Sequence, residues 1–480
     1  MERARAVTPE EFRRIGHLVV DWIADYRSGI ASRPVRSRSA PGEVRRRLPP
    51  VPPERGEPLD ALLRDLDETI LPGITHWQHP SFHAYFPANA ALASTIGDFL
   101  STGLGVIGLN WQASPALTEL ELLMADWMRQ MTGLSAQWSG AIHDTASTAT
   151  LVALLCARER ATSFSMQRGG LQGEPHPLVV YASSESHSSV LKAALLAGFG
   201  RERVRAIPVD GTFALDALAL RKSLAADTAQ GLVPCALVAT TGTTSSTALD
   251  PVEAMADLAR EYGCWLHVDA AMAGSAMILP ECRWMWTGVE HADSIVLNPH
   301  KWLGVVFDAS LYYVRDVQHL VRVMSTNPSY LRTSADEQAV NLRDWNIPLG
   351  RRFRALKLWA LIRSEGVAGL QARLRRDLAN AAWLAAQVDA ADGWERIAPV
   401  PLQTVCVRHH PKGLDGEALD RHTLGWLERL NASGDALLTA TVLGGRWAVR
   451  VSIGAETTER PHVAALWERM QAVAKEGEKT

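Results

Sequence analysis

Between about residue 140 and residue 315 the chain alternates two hydrophobic rhythms. Short apolar, β-prone runs at Leu178–Ala182, Ala236–Thr240, Cys264–Val268 and Ser294–Leu297 predict strands, with helical stretches between them. Such alternation is the pattern of a mostly parallel sheet between helices, an α/β fold. Upstream, Thr8, Pro9 and Glu11 form a capping box with proline at the first helical position. Phe12, Ile15, Val19, Trp22 and Ile23 then recur at helical spacing, which predicts an amphipathic helix ending near Gly29. Residues 34–58, rich in Pro and Arg, read as an extended connection before a second helix over 60–70. Ser114 and Pro115 open a helix whose buried stripe is expected to be Leu117, Leu120, Leu123, Met124, Trp127 and Met131, ended by Gly133. Residues 324–346 lack a pattern and read as a long functional loop. A long helix begins after Phe353, and strands near 401–408 and 446–453 with a closing helix over 462–474 predict a smaller α+β unit. The expected division is 1–80 as an N-terminal helical segment, 81–365 as the large domain and 366–480 as the small one.

Open α/β sheets bind ligands outside the carboxyl ends of their strands, so the residues just past each apolar run carry the chemistry. The run Cys264–Val268 stops at Asp269, and small residues come after it. Ser294–Leu297 leads into Asn298, Pro299, His300 and Lys301 before Trp302 restores apolar character. Seven lysines stand against 42 arginines, so a lysine between an apolar strand and an apolar pair is conspicuous. Its ammonium is costly there unless it is paired or chemically used, although a snorkelling side chain is the plain alternative. A carboxylate at one strand end and a lysine at the next suit pyridoxal phosphate: a counter-charge for the pyridine nitrogen and an amine for the aldehyde. His267, Asp269 and His300 also allow a non-haem iron triad, a reading that the strand-helix alternation disfavours. Gly103, Gly105 and Gly108 spell GxGxxG, but the preceding 91–100 is helix-like rather than a strand, which argues against a dinucleotide site. Asp144–Thr150, before a helix expected over Leu151–Arg160, offers unpaired amides to an anion such as phosphate.

Length and charge narrow the classes further. The 480 residues suffice for more than one domain, and a net charge of -3 provides no basic field for nucleic acid or an anionic membrane. Five widely spaced cysteines without CxxC are expected to be reduced core thiols in the cytoplasm. No run approaches a membrane span, and the charged first residues are unlike a secretory leader.

His267-Val-Asp-Ala-Ala271 followed by Asn298-Pro-His-Lys-Trp302 resembles the group II pyridoxal phosphate decarboxylases, and among them the aromatic L-amino acid decarboxylases. The resemblance covers nearly the whole chain. It implies an aminotransferase-like (fold type I) large domain and a homodimer whose active site is shared between chains. Lys301 would carry the cofactor, Asp269 hold its pyridine nitrogen, His187 stack on its ring and Ala271 pack beneath it. Thr145, Ala146, Ser147, Thr244, Asn298 and His300 complete the implied cofactor set. Tyr330 of the loop would enter the partner's site as the proton donor. Trp77, Tyr85, Phe86, Pro87, Ala88, Ile107, Leu109 and Gly350, with His187 and Thr244, are the implied substrate contacts. Ala88 and Leu109 stand where Thr and Phe are usual in eukaryotic members, and Met272 replaces an aromatic. Gly350 resembles the plant enzymes acting on indoles, and His300 favours the aromatic group over animal histidine decarboxylases. The implied reaction is decarboxylation of an aromatic, tryptophan-like L-amino acid to its amine. An oxygen-dependent aldehyde synthase of the same family and an aliphatic decarboxylase are the alternatives.

Overall fold

The computed structural model describes residues 7–326 and 338–476. Strands β1 (Ser139–His143), β2 (Leu178–Ser183), β3 (Val204–Ile207), β4 (Val233–Thr240), β5 (Trp265–Asp269), β6 (Ser294–Leu297) and β7 (Ser310–Val314) form one sheet in the order β1-β7-β6-β5-β4-β2-β3. From β3 across to β6 the pairing is parallel; β7 runs antiparallel to both β6 and β1. The apolar runs are unbroken because both faces are covered. Leu237, Ala239, Leu266 and Val268 face a core shared with helices Pro115–Thr132, Ala217–Ala229 and Val252–Tyr262. Ala236, Val238 and Trp265 face the opposite core, with helices Ala146–Ala161 and Ser188–Leu196. The result is the fold type I architecture.

A second, antiparallel sheet comprises β8 (Trp394–Arg396), β9 (Thr404–His409), β10 (Thr439–Leu443) and β11 (Arg446–Ser452), in the order β10-β11-β9-β8. Helices Gly416–Ser433 and Arg460–Glu476 back it. The two sheets are bridged by Ala355–Ala390, a helix interrupted at Gly366; Leu370 and Leu374 enter the large core and Ala381 onwards the small one. The N-terminal stretch returns to the small sheet. Val35 N–H donates to Gly434 O (2.9 Å), His83 N–H donates to Leu437 O (2.9 Å), and Val35, Phe82, Ala84 and Leu437 form their own small core.

Several local expectations shift. The capping box at Thr8 forms as expected over Pro9–Gly29, but only Ile15 of the apolar stripe is buried, and Phe12 is 57% exposed. The stretch expected to be extended holds a short helix, Glu43–Arg47. Helix Pro115–Thr132 buries Leu117, Glu121, Met124, Ala125 and Met128, while Leu123 points outward. Glu121 turns inward because Arg351 meets it in a buried ion pair, and its Oε1 also accepts from Ile142 N–H (2.8 Å). The GxGxxG stretch ends a helix instead of starting one: Leu92–Leu104 closes at Gly105, whose φ of 62° is the left-handed cap favoured for glycine.

Candidate active site

Parallel strands β4, β5 and β6 end side by side, with Thr240 opposite Asp269 and Asp269 opposite Val296. The chain leaving them lines a cavity of ≈ 380 Å³ at the carboxyl edge of the sheet. Helix Ala146–Ala161 starts five residues earlier than expected, so Ala146 and Ser147 form its first turn at the cavity wall. No side chain caps that end: Asp144 Oδ1 accepts from Thr145 N–H (2.7 Å), and the first helical amides are left for a ligand.

Asp269 is buried and receives Ala271 N–H on Oδ1 (3.0 Å), with no ion-pair partner among the described residues. Lys301 sits in a turn, Pro299–Leu303, where its own φ and ψ (-98°, -107°) break the helical path. Two contacts clamp that turn: Trp302 indole N–H donates to Asp377 Oδ2 (2.9 Å), and Arg373 donates to Trp302 O (3.1 Å). Burial lowers the Lys301 pKa, the Asp269 charge opposes that shift, and Arg450 adds to it. An amine so placed is closer to the neutral, nucleophilic form.

His187 caps helix Ser188–Leu196. Its Nδ1 accepts from Ser189 N–H (3.2 Å) and lies 2.8 Å from Ser189 Oγ, which assigns the ring proton to Nε2. Burial lowers its pKa and the Lys301 charge reinforces the shift. His300 is assigned the same tautomer, since Nδ1 accepts from Ala309 N–H (3.0 Å); burial pulls it to about 3, leaving a neutral Nε2–H donor. Asn298 Oδ1 accepts from Ser310 Oγ (2.6 Å), which orients its amide.

The other wall is aromatic. Trp77 and Tyr85 stack at 5.5 Å with 12° between planes, and Phe86 lies under Lys301 Nζ (5.6 Å to the ring centre) and Arg450 Cζ (4.9 Å). Around this one cavity the structure gathers Trp77, Tyr85, Phe86, Pro87, Ala88, Thr145, Ala146, Ser147, His187, Thr244, Asp269, Ala271, Asn298, His300 and Lys301. Ile107, Leu109 and Gly350 lie elsewhere but together: a Cβ on Gly350 would stand 3.6 Å from Ile107 and 4.0 Å from Leu109. Tyr330 lies outside the described residues. Arg450, Phe307 and Thr240 also line the cavity, and no sequence signal singles them out. Arg450 follows strand alternation, facing away from the core that Val449 and Val451 enter; among 42 arginines nothing marks it.

The donor set fits pyridoxal phosphate. A buried carboxylate without a cation suits a protonated pyridine nitrogen, an amine of lowered pKa suits an aldehyde, and uncapped helix amides suit a phosphate. Thr240 Oγ1, buried at the same edge, has no hydrogen-bond partner among the described residues. No cluster of the described residues has the ligands of a metal site, and His267 is spent on Ser294 Oγ (2.9 Å).

Fold and donor set together define a pyridoxal phosphate enzyme of fold type I. Residues 41–410 match the pyridoxal-dependent decarboxylase conserved domain, and the chain belongs to that family of carboxy-lyases. It is 40% identical to a tryptophan decarboxylase of Camptotheca acuminata over 97% of this chain and 95% of that one. With a phenylacetaldehyde synthase of a Rosa hybrid cultivar it shares 41% over 97% and 94%. An Oryza sativa TDC crystal structure with PLP and tryptamine superposes with a TM-score of 0.95, at 38% identity over 98% of this chain and 99% of that one.

Proposed function

We propose that the protein releases CO2 from an aromatic, tryptophan-like L-amino acid to give the amine. The observation that carries this reading is the Trp77–Tyr85 stack and Phe86 facing Lys301, Asp269 and His187 across one cavity. Flat apolar walls take an aromatic side chain, and Ala88 adds no hydroxyl for a phenol. Lys301 Nζ would be the amine that holds the cofactor through its aldehyde. Asp269 would keep the pyridine nitrogen protonated, and the His187 ring, fixed through Ser189, would stack on the cofactor ring. Ala271, which lines the same cavity, would pack beneath it. The amides of Ala146 and Ser147, the His300 Nε2–H and the Asn298 amide would anchor the phosphate and ring, and Thr145 and Thr244 line the same cavity. Pyridoxal phosphate, when bound, supplies an electron sink for the pair left at the α-carbon as CO2 departs. Tyr330 of the partner subunit would return a proton to that carbon.

The working unit is a homodimer in the cytoplasm, divided at 1–80, 81–365 and 366–480. Leu92, Ile96, Phe99, Leu100 and Leu104 repeat along one face of helix Leu92–Leu104, all about half exposed. With Ile107 exposed beside Leu109 and Gly350, that surface fits a second copy whose cavity these residues would complete. The buried, unbridged state of all five cysteines agrees with a reducing compartment, and no helix of the described residues is long and apolar enough to cross a membrane.

The test is CO2 release across a panel of amino acids. Tryptophan, tyrosine or phenylalanine should lead, and preference for valine, leucine or glutamate would refute the reading. Oxygen uptake on the same panel addresses the synthase alternative, which the Rosa relative keeps in view. Because both His187 and Tyr330 are present, CO2 should form without stoichiometric peroxide.

A further inference from the structure

Asn89 is buried to 1% exposure, directly after Pro87 and Ala88 of the cavity wall. Both ends of its side-chain amide are bonded to main chain just past β11. Nδ2–H donates to Gly454 O (2.7 Å), and Oδ1 accepts from Glu456 N–H (2.9 Å). One amide thus stands in for a short strand pairing and leaves no buried polar atom of its own unmet. Gln78 repeats the device from another side. Its Nε2–H donates to Ala88 O (2.8 Å) and its Oε1 accepts from Ala90 N–H (3.0 Å), while Arg27 Nη1 donates to Ala90 O (2.7 Å). Residues 88–91, which have no secondary structure, are therefore tied down on both flanks.

What this stretch grips is the lysine turn. Asn89 N–H donates to Lys301 O (3.4 Å) and Ala91 N–H donates to Gly304 O (3.0 Å), on either side of Trp302 and Leu303. The turn does not hold the first of these carbonyls itself. In a helix the amides of Gly304 to Val306 would fold onto Lys301 O, but the non-helical backbone at Lys301 sends them elsewhere. Gly304 and Val305 donate to Pro299 O, and Val306 donates to Ser94 Oγ (2.9 Å). The Lys301 carbonyl faces Asn89 instead. Because the peptide unit is planar, a partner on that carbonyl restrains the Lys301 ψ and with it the direction in which the side chain leaves the backbone.

We propose that Asn89 is a positioning residue for Lys301: its amide pins residues 88–91 to the end of β11, and their main chain aims the lysine into the cavity. The proposal rests on the reading that Lys301 holds pyridoxal phosphate through its aldehyde. A flexible side chain presents its amine to one point only while its Cα stays put, so a loosened turn lowers the effective concentration of that amine. The proposed phosphate ligands lie on other elements and are left as they were.

Two forms of the cofactor separate these effects. Pyridoxal phosphate would join Lys301 Nζ through its aldehyde carbon with release of one water; pyridoxamine phosphate has no aldehyde and rests on non-covalent contacts alone. Asn89→Ala should weaken pyridoxal phosphate about tenfold in equilibrium dialysis and pyridoxamine phosphate by less than about twofold. In a Lys301→Ala background the same substitution should change pyridoxal phosphate affinity by less than about twofold. A purely structural asparagine would weaken both forms alike, with or without Lys301, and that result, or unchanged affinity for pyridoxal phosphate, overturns the proposal. If Asn89→Ala melts early, Gln78→Met, which frees the same stretch from its half-buried side, decides by the same pair of ligands: selective loss of pyridoxal phosphate supports the proposal, and equal loss or none overturns it. The cofactor reading has its own control in the unmodified protein, treated with borohydride and analysed by mass spectrometry. No adduct on Lys301 removes that reading and the proposal with it, whereas an adduct there without selective loss in the variants removes the proposal alone.

Discussion

The role proposed for Lys301 depends on its turn being held. The broken turn, the Trp302–Asp377 bond and Arg373 fix its backbone, so only the side chain has freedom. Lys301→Ala should abolish turnover while the melting temperature stays near that of the unmodified protein, since the proposed phosphate ligands lie on other elements. Borohydride treatment followed by mass spectrometry should show no cofactor adduct on the variant, and near-normal activity would refute the role. Tyr330→Phe should leave CO2 release in place and divert product toward aldehyde with peroxide; unchanged amine yield would show that another group protonates the α-carbon. At this scale the sequence was legible where a residue type is scarce. One lysine between apolar neighbours, after an aspartate at the previous strand end, is a strong signal in a chain with so few lysines. Arg450 was hidden by the opposite circumstance, and by burial contacts that join positions 85, 245, 439 and 450 only in three dimensions.

Elements were legible in proportion to how fully they are buried. β4, β5 and β6 show as apolar runs because both faces meet helices, whereas β10, mostly half-buried, and three-residue β8 carry no such signal. The stripe of helix Pro115–Thr132 was displaced because a charged residue, Glu121, is buried by its ion pair with Arg351. Periodicity counts apolar side chains and cannot register a buried pair. Packing between elements sets the cavity's shape at Gly454, just past β11. A Cβ there would lie 2.8 Å from Pro87 Cγ and 3.2 Å from Trp302 Cδ1, between the aromatic wall and the lysine turn. Gly454→Ala should therefore cost about 1–3 kcal/mol of stability through overpacking and raise KM more than it lowers kcat. Denaturant melts and steady-state kinetics check both; an unchanged KM would show that the wall does not depend on this contact.

For the whole molecule, acid should be more damaging than the near-neutral net charge suggests. His83, His143, His267 and His300 are held neutral by burial, at about 4, 3, 4 and 3 respectively. Free histidine titrates near 6.5, so between roughly pH 6.5 and 4 the unfolded chain binds more protons than the folded one. Their stabilisation is complete above that window and is lost as pH falls through it. Asp250, raised to about 7 by burial, acts in the opposite sense, since its contribution is lost as pH rises. Both ring nitrogens of His83 lack hydrogen-bond partners among the described residues, so it isolates the effect. At pH 5 it should cost about 2 kcal/mol, and His83→Leu should flatten the fall in melting temperature from pH 7 to pH 5. An equal fall in both proteins would exclude His83. Assembly gives the second test at this scale: Ile96→Glu with Phe99→Glu should yield monomers by sedimentation and abolish activity, whereas an active double variant would show that the helix face is not the interface.

The return of the N-terminal stretch to the small sheet also has a consequence in time. Asn89 Nδ2–H donates to Gly454 O across 365 positions, and Val35 and Phe82 wait for Leu437. At ribosomal speeds of about 5–20 residues per second, about 20–70 s separate the synthesis of the two sides. During that interval Phe82 and the aromatic wall stand beside a nascent sheet with nothing to close on. The cavity is thus among the last features to exist, and a ribosome stalled before residue 434 would hold a chain with its large sheet encoded and its aromatic wall unsupported.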